Sequence, residues 1–452
     1  MPKALSRLSE QLRRIFRIIL WYMKCFLLTI GLLIIAGVSD VAAATLYRSV
    51  GTTATALNNA ATVTISGSVA TFSAAQPDNI GVGDAIVYGS TYIAFITFRT
   101  STTTFNVQNA TGGVPTAAGA GTSVAVYRCF NSLSNWEGNT TANTNINAAV
   151  RPSVLMSSLN LVTAGHILMV SCYADGVDGS VTIDGWTTGA SNYIKIYTPV
   201  NLLEAGTSQR HNGTWGNGYR ITGYLIISDE YVRVDGLSVY QSGANRIYFV
   251  TGSTGAGEVH ISNCFGWYTN DSATGFDVYD VWSVGALTIK VWNCIGINDS
   301  ASTTSEAFYF NDADITVYCY NCTGIANAGR AFRNVYTNPA TLKNCLGYSA
   351  SNSAFYGSFT SVTYSASDDV TADDWGGSGN RISQTFSFVD SANDNFHLLP
   401  ADIGAVDRGV DLVADSYISF FQDIDAGRRP MGPAWDIGAD EVIPPGFFFT
   451  EY

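Results

Sequence analysis

The sequence predicts an all-β protein in which a small N-terminal β module precedes a coil of stacked parallel strands. The composition favours strands and tight turns, because 44 glycines and 12% aromatic residues accompany only 13% charged residues in a chain of 452. Four segments between residues 258 and 345 repeat one alternating strand pattern that ends in Asn-Cys. The stretches between them lack the 3.6-residue period of a helix, so the strands repeat without crossover helices.

Residues 1–43 have the features of a signal peptide. Basic residues precede an apolar run of 14 residues at 25–38, and the small residues Ala42, Ala43 and Ala44 follow it. This run is shorter than the roughly 20 residues that span a bilayer. We therefore expect cleavage during export, a secreted or cell-surface location, and no stable transmembrane segment after cleavage.

The charge and the cysteines of the remaining chain exclude several partners. Without the leader, 17 Lys and Arg stand against 34 Asp and Glu, a net charge of −17, which makes nucleic acid an unsuitable partner. The seven remaining cysteines are an odd number, and the single Cys-x-x-Cys, at Cys319 and Cys322, lies inside the repeat. No metal site is expected, and the four histidines are isolated in sequence.

Residues 44–128 are predicted to form the small β module. Apolar residues alternate with Thr, Ser and Gly at 61–72, and further strand-like runs at 85–98 and 104–107 follow turn-rich breaks. No pattern in this module indicates catalysis, and its role stays open.

Residues 129–383 are predicted to form the coil. The segments EVHISNC, TIKVWNC, TVYCYNC and ATLKNC end at residues 264, 294, 322 and 345, so the repeat is 23 to 30 residues long. Parallel strands at this period, with no helix between them, are closed only by coiling the chain, each turn about 4.8 Å above the last. The alternation places one set of residues inside the coil: Val259, Ile289 and Val317, then Ile261, Val291, Cys319 and Leu342, and the Cys of each Asn-Cys.

A second ladder is predicted within each repeat. A small residue followed by Phe comes after each Asn-Cys, with the Phe 11 to 15 residues beyond the Asn. These pairs are Gly275-Phe276, Ala307-Phe308, Ala331-Phe332 and Ala354-Phe355. We expect the four Phe side chains to stack inside the coil.

These features resemble the right-handed parallel β-helix proteins of the pectate-lyase-like superfamily, specifically bacterial cell-surface proteins with β-helix repeats. The resemblance covers about residues 130–443. It includes a C-terminal segment, residues 384–443, with the motifs FVDSANDNFHL, DIDAGRRP and DIGADE, before a short tail at 444–452. The family usually has tyrosine where this chain has Asp440. The resemblance implies a right-handed, single-stranded parallel β-helix and says little about substrate.

Outward-facing residues align into rows that could bind polysaccharide. One row contains Lys195, Arg233, His260, Lys290, Tyr318 and Thr341; the adjacent row contains Asp235, Ser262, Trp292, Tyr320 and Lys343; a third contains Asp277, Tyr309, Arg333 and Tyr356. Aromatic faces pack on sugar rings while cations hold hydroxyls or carboxylates. The predicted binding residues are Lys195, Arg233, Lys290, Trp292, Tyr309, Tyr320, Arg333 and Tyr356. The same rows are also explained by solubility and by sheet-stabilising ladders.

The sequence also contains candidate catalytic residues. Asp280 and Asp312 each lie four residues after a predicted ladder Phe and would stack, with Arg333 one turn further on. A carboxylate pair of this kind suits a retaining glycosidase. The resemblance implies calcium held by clustered Asp if the chain is a lyase; otherwise no cofactor is expected.

Two functions follow from the sequence. The first is a surface protein that binds polysaccharide, with anionic glycans among its ligands, or that serves as a rigid display rod. The alternative is a polysaccharide lyase or glycoside hydrolase, and fold alone does not choose between them.

Overall fold

The computed structural model describes residues 43–59, 61–252, 255–270, 277–282 and 285–444. The predicted signal peptide, apart from Ala43, lies outside the described residues, as does the tail beyond residue 444. Within the described ranges the regular secondary structure is mostly β, with three long parallel sheets and one closed antiparallel sheet.

Three parallel sheets form the main body, and from His166 onward its consecutive described strands enter them in strict rotation. Sheet I has nine described strands: Ala44–Val50, His166–Cys172, Ile194–Tyr197, Val232–Asp235, Glu258–Ser262, Thr288–Trp292, Thr316–Tyr320, Ala340–Lys343 and Ser361–Thr363. Sheet II has eight: Val177–Asp178, Arg220–Thr222, Ser238–Gln241, Phe265–Tyr268, Ile295–Asn298, Thr323–Ala326, Leu346–Ser349 and Ala366–Ser367. Sheet III has seven: Val181–Ile183, Leu225–Ile227, Tyr248–Thr251, Tyr279–Trp282, Phe308–Phe310, Phe332–Asn334 and Phe355–Gly357. This order is compatible with a parallel β-helix.

In the sequence, the remaining elements lie between the first two strands of sheet I and after the last strand of sheet II. A closed antiparallel sheet contains Thr62–Ser66, Val69–Phe72, Ala85–Tyr88, Tyr92–Arg99, Thr104–Gln108 and Ala118–Tyr127. Helices α1 (Leu133–Glu137) and α2 (Leu161–Ala164) follow, with 3-10 turns at Arg151–Val154, Thr371–Asp373 and Ser391–Asn393. A two-stranded sheet joins Phe388–Asp390 to Asn395–Leu398. None of the helices in the described ranges has the length and apolarity needed to cross a membrane.

The first strand of the predicted β module belongs to the main body. Ala44–Val50 pairs in parallel with His166–Cys172 in sheet I, whereas the closed sheet begins at Thr62. The strands predicted at 61–72, 85–98 and 104–107 are present in that closed sheet. The sequence reasoning missed its sixth strand, Ala118–Tyr127, because Gly, Thr and Ser obscure its alternation.

The repeated Asn-Cys marks the bend between sheets I and II. Val259, Ile289 and Val317 pair in register, as predicted, and all three are buried. Each Asn has positive φ, a conformation that Asn tolerates better than most residues. Each following Cys is buried and free, so the predicted internal Cys series is confirmed for Cys264, Cys294, Cys322 and Cys345.

The predicted Phe ladder is correct in three positions and wrong in one. Phe308, Phe332 and Phe355 pair in register on sheet III. The next position is filled by Tyr279, which pairs with Phe308, and not by Phe276, which lies outside the described residues. Tyrosine fits this interior because its hydroxyl donates to the Cys264 carbonyl at 2.8 Å.

The C-terminal segment, residues 384–443, packs on the outside of the body. Its apolar residues Phe396, Ile424 and Ile437 lie in one cluster with Phe265 and Ile295 of sheet II. Two of its motifs contact each other, because the buried Arg429 of DIDAGRRP lies 3.0 Å from Glu441 of DIGADE. These motif residues therefore stabilise the segment itself.

Candidate functional site

The predicted basic row on sheet I is present. Lys195, Arg233, His260 and Lys290 pair successively in register across four strands. Glu258 offsets their mutual repulsion, since its carboxylate lies 2.8 Å from the Lys290 ammonium and 3.2 Å from His260. Burial lowers the pKa of His260 to about 4, so His260 is neutral near pH 7 and the row carries less charge than its sequence suggests.

The adjacent row on sheet I is not an exposed aromatic platform. Tyr320 is fully buried in a cluster with Leu412 and Trp435 of the C-terminal segment, and Trp292 packs against that cluster. Tyr318 of the basic row stacks on Tyr417 of the same segment at 4.2 Å. The prediction that Trp292 and Tyr320 form an open surface is therefore wrong, because a distant part of the chain covers them.

The third row lies on sheet III and has a different member from the predicted one. Asp280, Tyr309, Arg333 and Tyr356 pair in register, so Asp280 replaces Asp277 in the row. The error follows from the ladder, because Tyr279 rather than Phe276 sets the phase of this strand. Lys290, Trp292 and Tyr320 belong to sheet I, so the predicted residues do not form one continuous surface.

Asp280 and Arg333 come together in a buried ion cluster, whereas Asp312 does not join it. The Arg330 and Arg333 guanidiniums both contact Glu306 Oε1, at 3.1 and 3.0 Å, and Glu306 is fully buried. Asp280 forms an ion pair with Arg246. Asp312 instead accepts the backbone N–H of Asp314 in a turn, so the predicted stacking of Asp280 on Asp312 is wrong.

Two carboxyl groups of this cluster have raised pKa values. Burial, followed by the charges of Asp280 and Glu306, raises the pKa of Asp277 well above its ordinary value. Burial also raises the pKa of Asp280, to about 6, although Arg246 opposes the shift. Asp277 is hydrogen-bonded to Glu306, and two carboxyl groups in contact require a proton between them. The sequence reasoning missed Glu306, Arg330 and Arg246 because they lie in turns outside the repeated strands.

A groove opens beside this cluster, and we name it the sheet III groove. It has a volume of about 720 Å³, and its walls include Arg333, Tyr356, Asp374 and Trp375. Tyr356 is 48% exposed, and the Arg330 guanidinium lies 4.2 Å from its ring centre. The groove thus combines the exposed part of the Tyr356 ring with the Arg333 guanidinium, which the buried Glu306 carboxylate holds in place.

A separate cluster lies in the C-terminal segment. The ligand-type atoms of His397, Asp425 and Asp440 lie within 4.8 Å of one another. His397 Nε2 is 3.2 Å from Asp425, and contacts with the surrounding carboxylates raise the pKa of His397 to about 9 despite its burial. The charged imidazole accounts for this arrangement as an ion pair, and the expectation of no metal site stays a prediction.

Comparisons with protein-family models, with curated proteins and with solved structures found no match to this chain.

Proposed function

We propose that this chain is an exported protein that binds an acidic polysaccharide in the sheet III groove without cleaving it. The rotation of strands through sheets I, II and III supports the finer architecture that we propose for its body, a right-handed, single-stranded parallel β-helix. The repeats and C-terminal motifs that resemble pectate-lyase-like surface proteins support a cell-surface location.

The side chains that line the groove are the main support for this proposal. Sugar rings present apolar C–H faces that pack on aromatic rings, and Tyr356 and Trp375 offer such faces within one concave surface. A guanidinium matches a carboxylate in a two-point hydrogen-bonded contact, and Arg333 lies in the same wall. A uronic acid unit would use both features at once.

The local charge suits an anionic ligand better than the net charge of the chain does. Arg330 and Arg333 share one carboxylate, Glu306, so this group keeps one net positive charge, and Asp374 is an exposed acidic residue in the same groove. Asp277 adds no charge while it is protonated, and Arg246 balances Asp280. Recognition would therefore depend on local cations beside stacking rings, and salt should weaken it only in part.

Catalysis is the alternative, and the raised pKa values of Asp277 and Asp280 favour it. A carboxyl group that is protonated near neutral pH can act as a general acid. However, Asp277, Asp280 and Glu306 are at most 4% exposed and already contact each other or arginines. A bound glycan could not reach them in this arrangement, so we favour binding.

Retention on immobilised acidic and neutral polysaccharides tests the proposal. We expect retention by an acidic polymer such as polygalacturonate. We expect Tyr356→Ala to weaken it about two- to tenfold, since aromatic stacking contributes about 0.5–1.5 kcal/mol. Tyr336→Ala is a matched control, because Tyr336 is 45% exposed and lies outside the groove. Equal retention of the parent and the Tyr356 variant would refute the groove.

The same samples distinguish binding from catalysis. New reducing ends or unsaturated ends, lost in Asp280→Asn and kept in Asp312→Asn, would establish the enzyme alternative. If the formation of these ends required calcium, the enzyme would be a lyase. We expect neither kind of end.

A further inference from the structure

A second cavity lies where three distant parts of the chain meet. It has a volume of about 670 Å³ and is lined by the sheet I residues Lys195 and Tyr197, by Phe98 of the closed sheet, and by Phe421 of the C-terminal segment. This volume lies within the range of about 300–1,000 Å³ that is typical of small-molecule sites. It is on a different sheet from the groove at Tyr356.

One wall of this pocket is held firmly by backbone contacts. The loop at residues 199–206 is tied to the turn before the Ala85–Tyr88 strand, since Val82 donates its N–H to the Glu204 carbonyl at 2.8 Å. Arg99 likewise donates its N–H to the Leu203 carbonyl at 2.7 Å. The pocket is thus built before a ligand arrives, which lowers the entropy cost of binding.

The polar groups in the pocket are fixed in place and are balanced in charge. Asp235 lies 3.0 Å from the Lys195 ammonium and 2.7 Å from the Arg210 guanidinium, and it also accepts from the Asn263 amide at 2.7 Å. Glu204, which also lines the pocket, accepts the backbone N–H groups of Val200 and Asn201. Two cations and two carboxylates therefore line one cavity.

The balanced charge argues against an ionic ligand, and the rings argue for a flat apolar face on the ligand. Phe98, Phe421 and Tyr47 supply aromatic surface beside the donors of Lys195 and the acceptors of Glu204. Burial, followed by the charge of Glu204, raises the pKa of Tyr47, so its hydroxyl remains a donor. Neutral sugars combine apolar C–H faces with hydroxyls that both donate and accept.

We infer that this pocket binds a neutral mono- or disaccharide, as a second carbohydrate site with different ligand chemistry from the sheet III groove. Lys195 and Glu204 contact ligand hydroxyls, and Phe421 closes over the sugar face from the rim. The predicted binding role of Lys195 then belongs to this pocket, whereas Arg233, its neighbour in the row, does not line it.

Titration calorimetry of the full-length protein with cellobiose, maltose, lactose and N,N′-diacetylchitobiose tests the inference. We expect at least one of these sugars to bind, and Lys195→Met and Phe421→Ala each to weaken it at least tenfold. Phe421 is 57% exposed, so its replacement should leave the fold intact, which circular dichroism checks. Arg233→Met is the matched control and should bind as the parent does.

Binding by none of the four sugars, or equal binding by the parent and the Phe421 variant, would overturn the inference. The Tyr356→Ala variant separates this site from the groove, since it should lose polygalacturonate and keep the neutral sugar. Loss of both ligands in that variant would show a single site and would contradict the second pocket. If the parent binds the neutral sugar but does not bind polygalacturonate, only the proposed function of the sheet III groove is refuted.

Discussion

The asparagines of the repeat have two structural roles: they adopt positive φ at the bend, and their side chains link successive turns. Asn263, Asn293, Asn321 and Asn344 have φ values of 52°, 51°, 47° and 53° at the bend that joins sheet I to sheet II. Their amides also link the turns, since Asn293 donates to Asn263 and Asn344 donates to Asn321, both at 3.1 Å. Asn321 further donates to the Asp436 and Gly438 carbonyls of the C-terminal segment.

His211 is held neutral by burial, and its hydrogen bonds place one proton on the ring. Its Nε2 lies 2.9 Å from the Asn263 carbonyl, and its Nδ1 accepts the Gly213 N–H at 3.0 Å, which requires one proton on the ring. Burial, with the nearby Arg210, lowers the pKa of His211 to about 3. This folded-state pKa lies below the ordinary value, so the stabilisation is present above about pH 6.5 and is lost as pH falls toward 3.

We predict that His211→Gln flattens the dependence of stability on acid pH. The parent should lose on the order of 4 kcal/mol through this group between pH 6.5 and 3, because each pKa unit corresponds to about 1.4 kcal/mol. Urea unfolding at pH 7, 5.5 and 4.5 measures the difference between the two proteins. His397→Gln is the control: the raised pKa of His397 predicts stabilisation that is lost instead toward pH 9. Identical slopes for the parent and His211→Gln in acid would contradict the prediction.

The aromatic stack of sheet III is the main apolar element of the body. Tyr248, Tyr279, Phe308, Phe332 and Phe355 are stacked, with ring centres 4.5 to 5.0 Å apart. Small residues face it across the interior. A Cβ added at Gly324 would lie 3.0 Å from both the Phe332 ring and the Ala331 carbonyl, so the glycine leaves room for the rings.

We predict that Phe332→Ala lowers the free energy of unfolding by about 3–5 kcal/mol. The substitution removes a fully buried ring between two stacked neighbours and leaves a cavity that the stiff sheets cannot close. Tyr336→Ala, at an exposed position two residues beyond the same strand, should change stability by less than about 0.5 kcal/mol. Denaturant unfolding of both variants provides the comparison, and a loss below 1 kcal/mol for Phe332→Ala would show that the stack is loosely packed.

Sequence patterns predicted these elements where residue identity repeats. The inward phase of sheet I follows from strict alternation, and the Asn-Cys bend follows from its recurrence. The stack was predicted only in part because tyrosine at 279 serves the same purpose as phenylalanine once its hydroxyl has an internal acceptor. The ion cluster escaped prediction because Glu306 and Arg330 come from turns of different length, which no periodicity aligns.

At the scale of the molecule, the return of the C-terminal segment over sheets I and II was not predictable from local patterns. Alternation identifies one buried face of a strand, but strands covered on both faces lose that signal. Ile295–Asn298 and Thr323–Ala326 are buried at every position. The same long-range contact buries Tyr320, and it converts a predicted binding platform into an internal interface.

We predict that the C-terminal segment is required for a soluble folded body. A chain ending at residue 383 would expose Phe265, Ile295 and Tyr320, which are now fully buried, as one apolar surface. Size-exclusion chromatography with light scattering should show self-association of this truncated protein. The midpoint of its thermal unfolding should fall, or the transition should broaden.

A matched pair of substitutions tests whether the packing of the segment against the body, and not only its presence, stabilises the protein. Ile437 is fully buried in the sheet II cluster, whereas Ile403 is 74% exposed in the same segment. Ile437→Asp places an unpaired charge in that interface and should cost more than about 4 kcal/mol, while Ile403→Asp should cost less than about 0.5 kcal/mol. A monomeric truncated protein together with a stable Ile437→Asp variant would show that contact with the segment does not stabilise the body. The apolar outer face of sheet II would then need another partner.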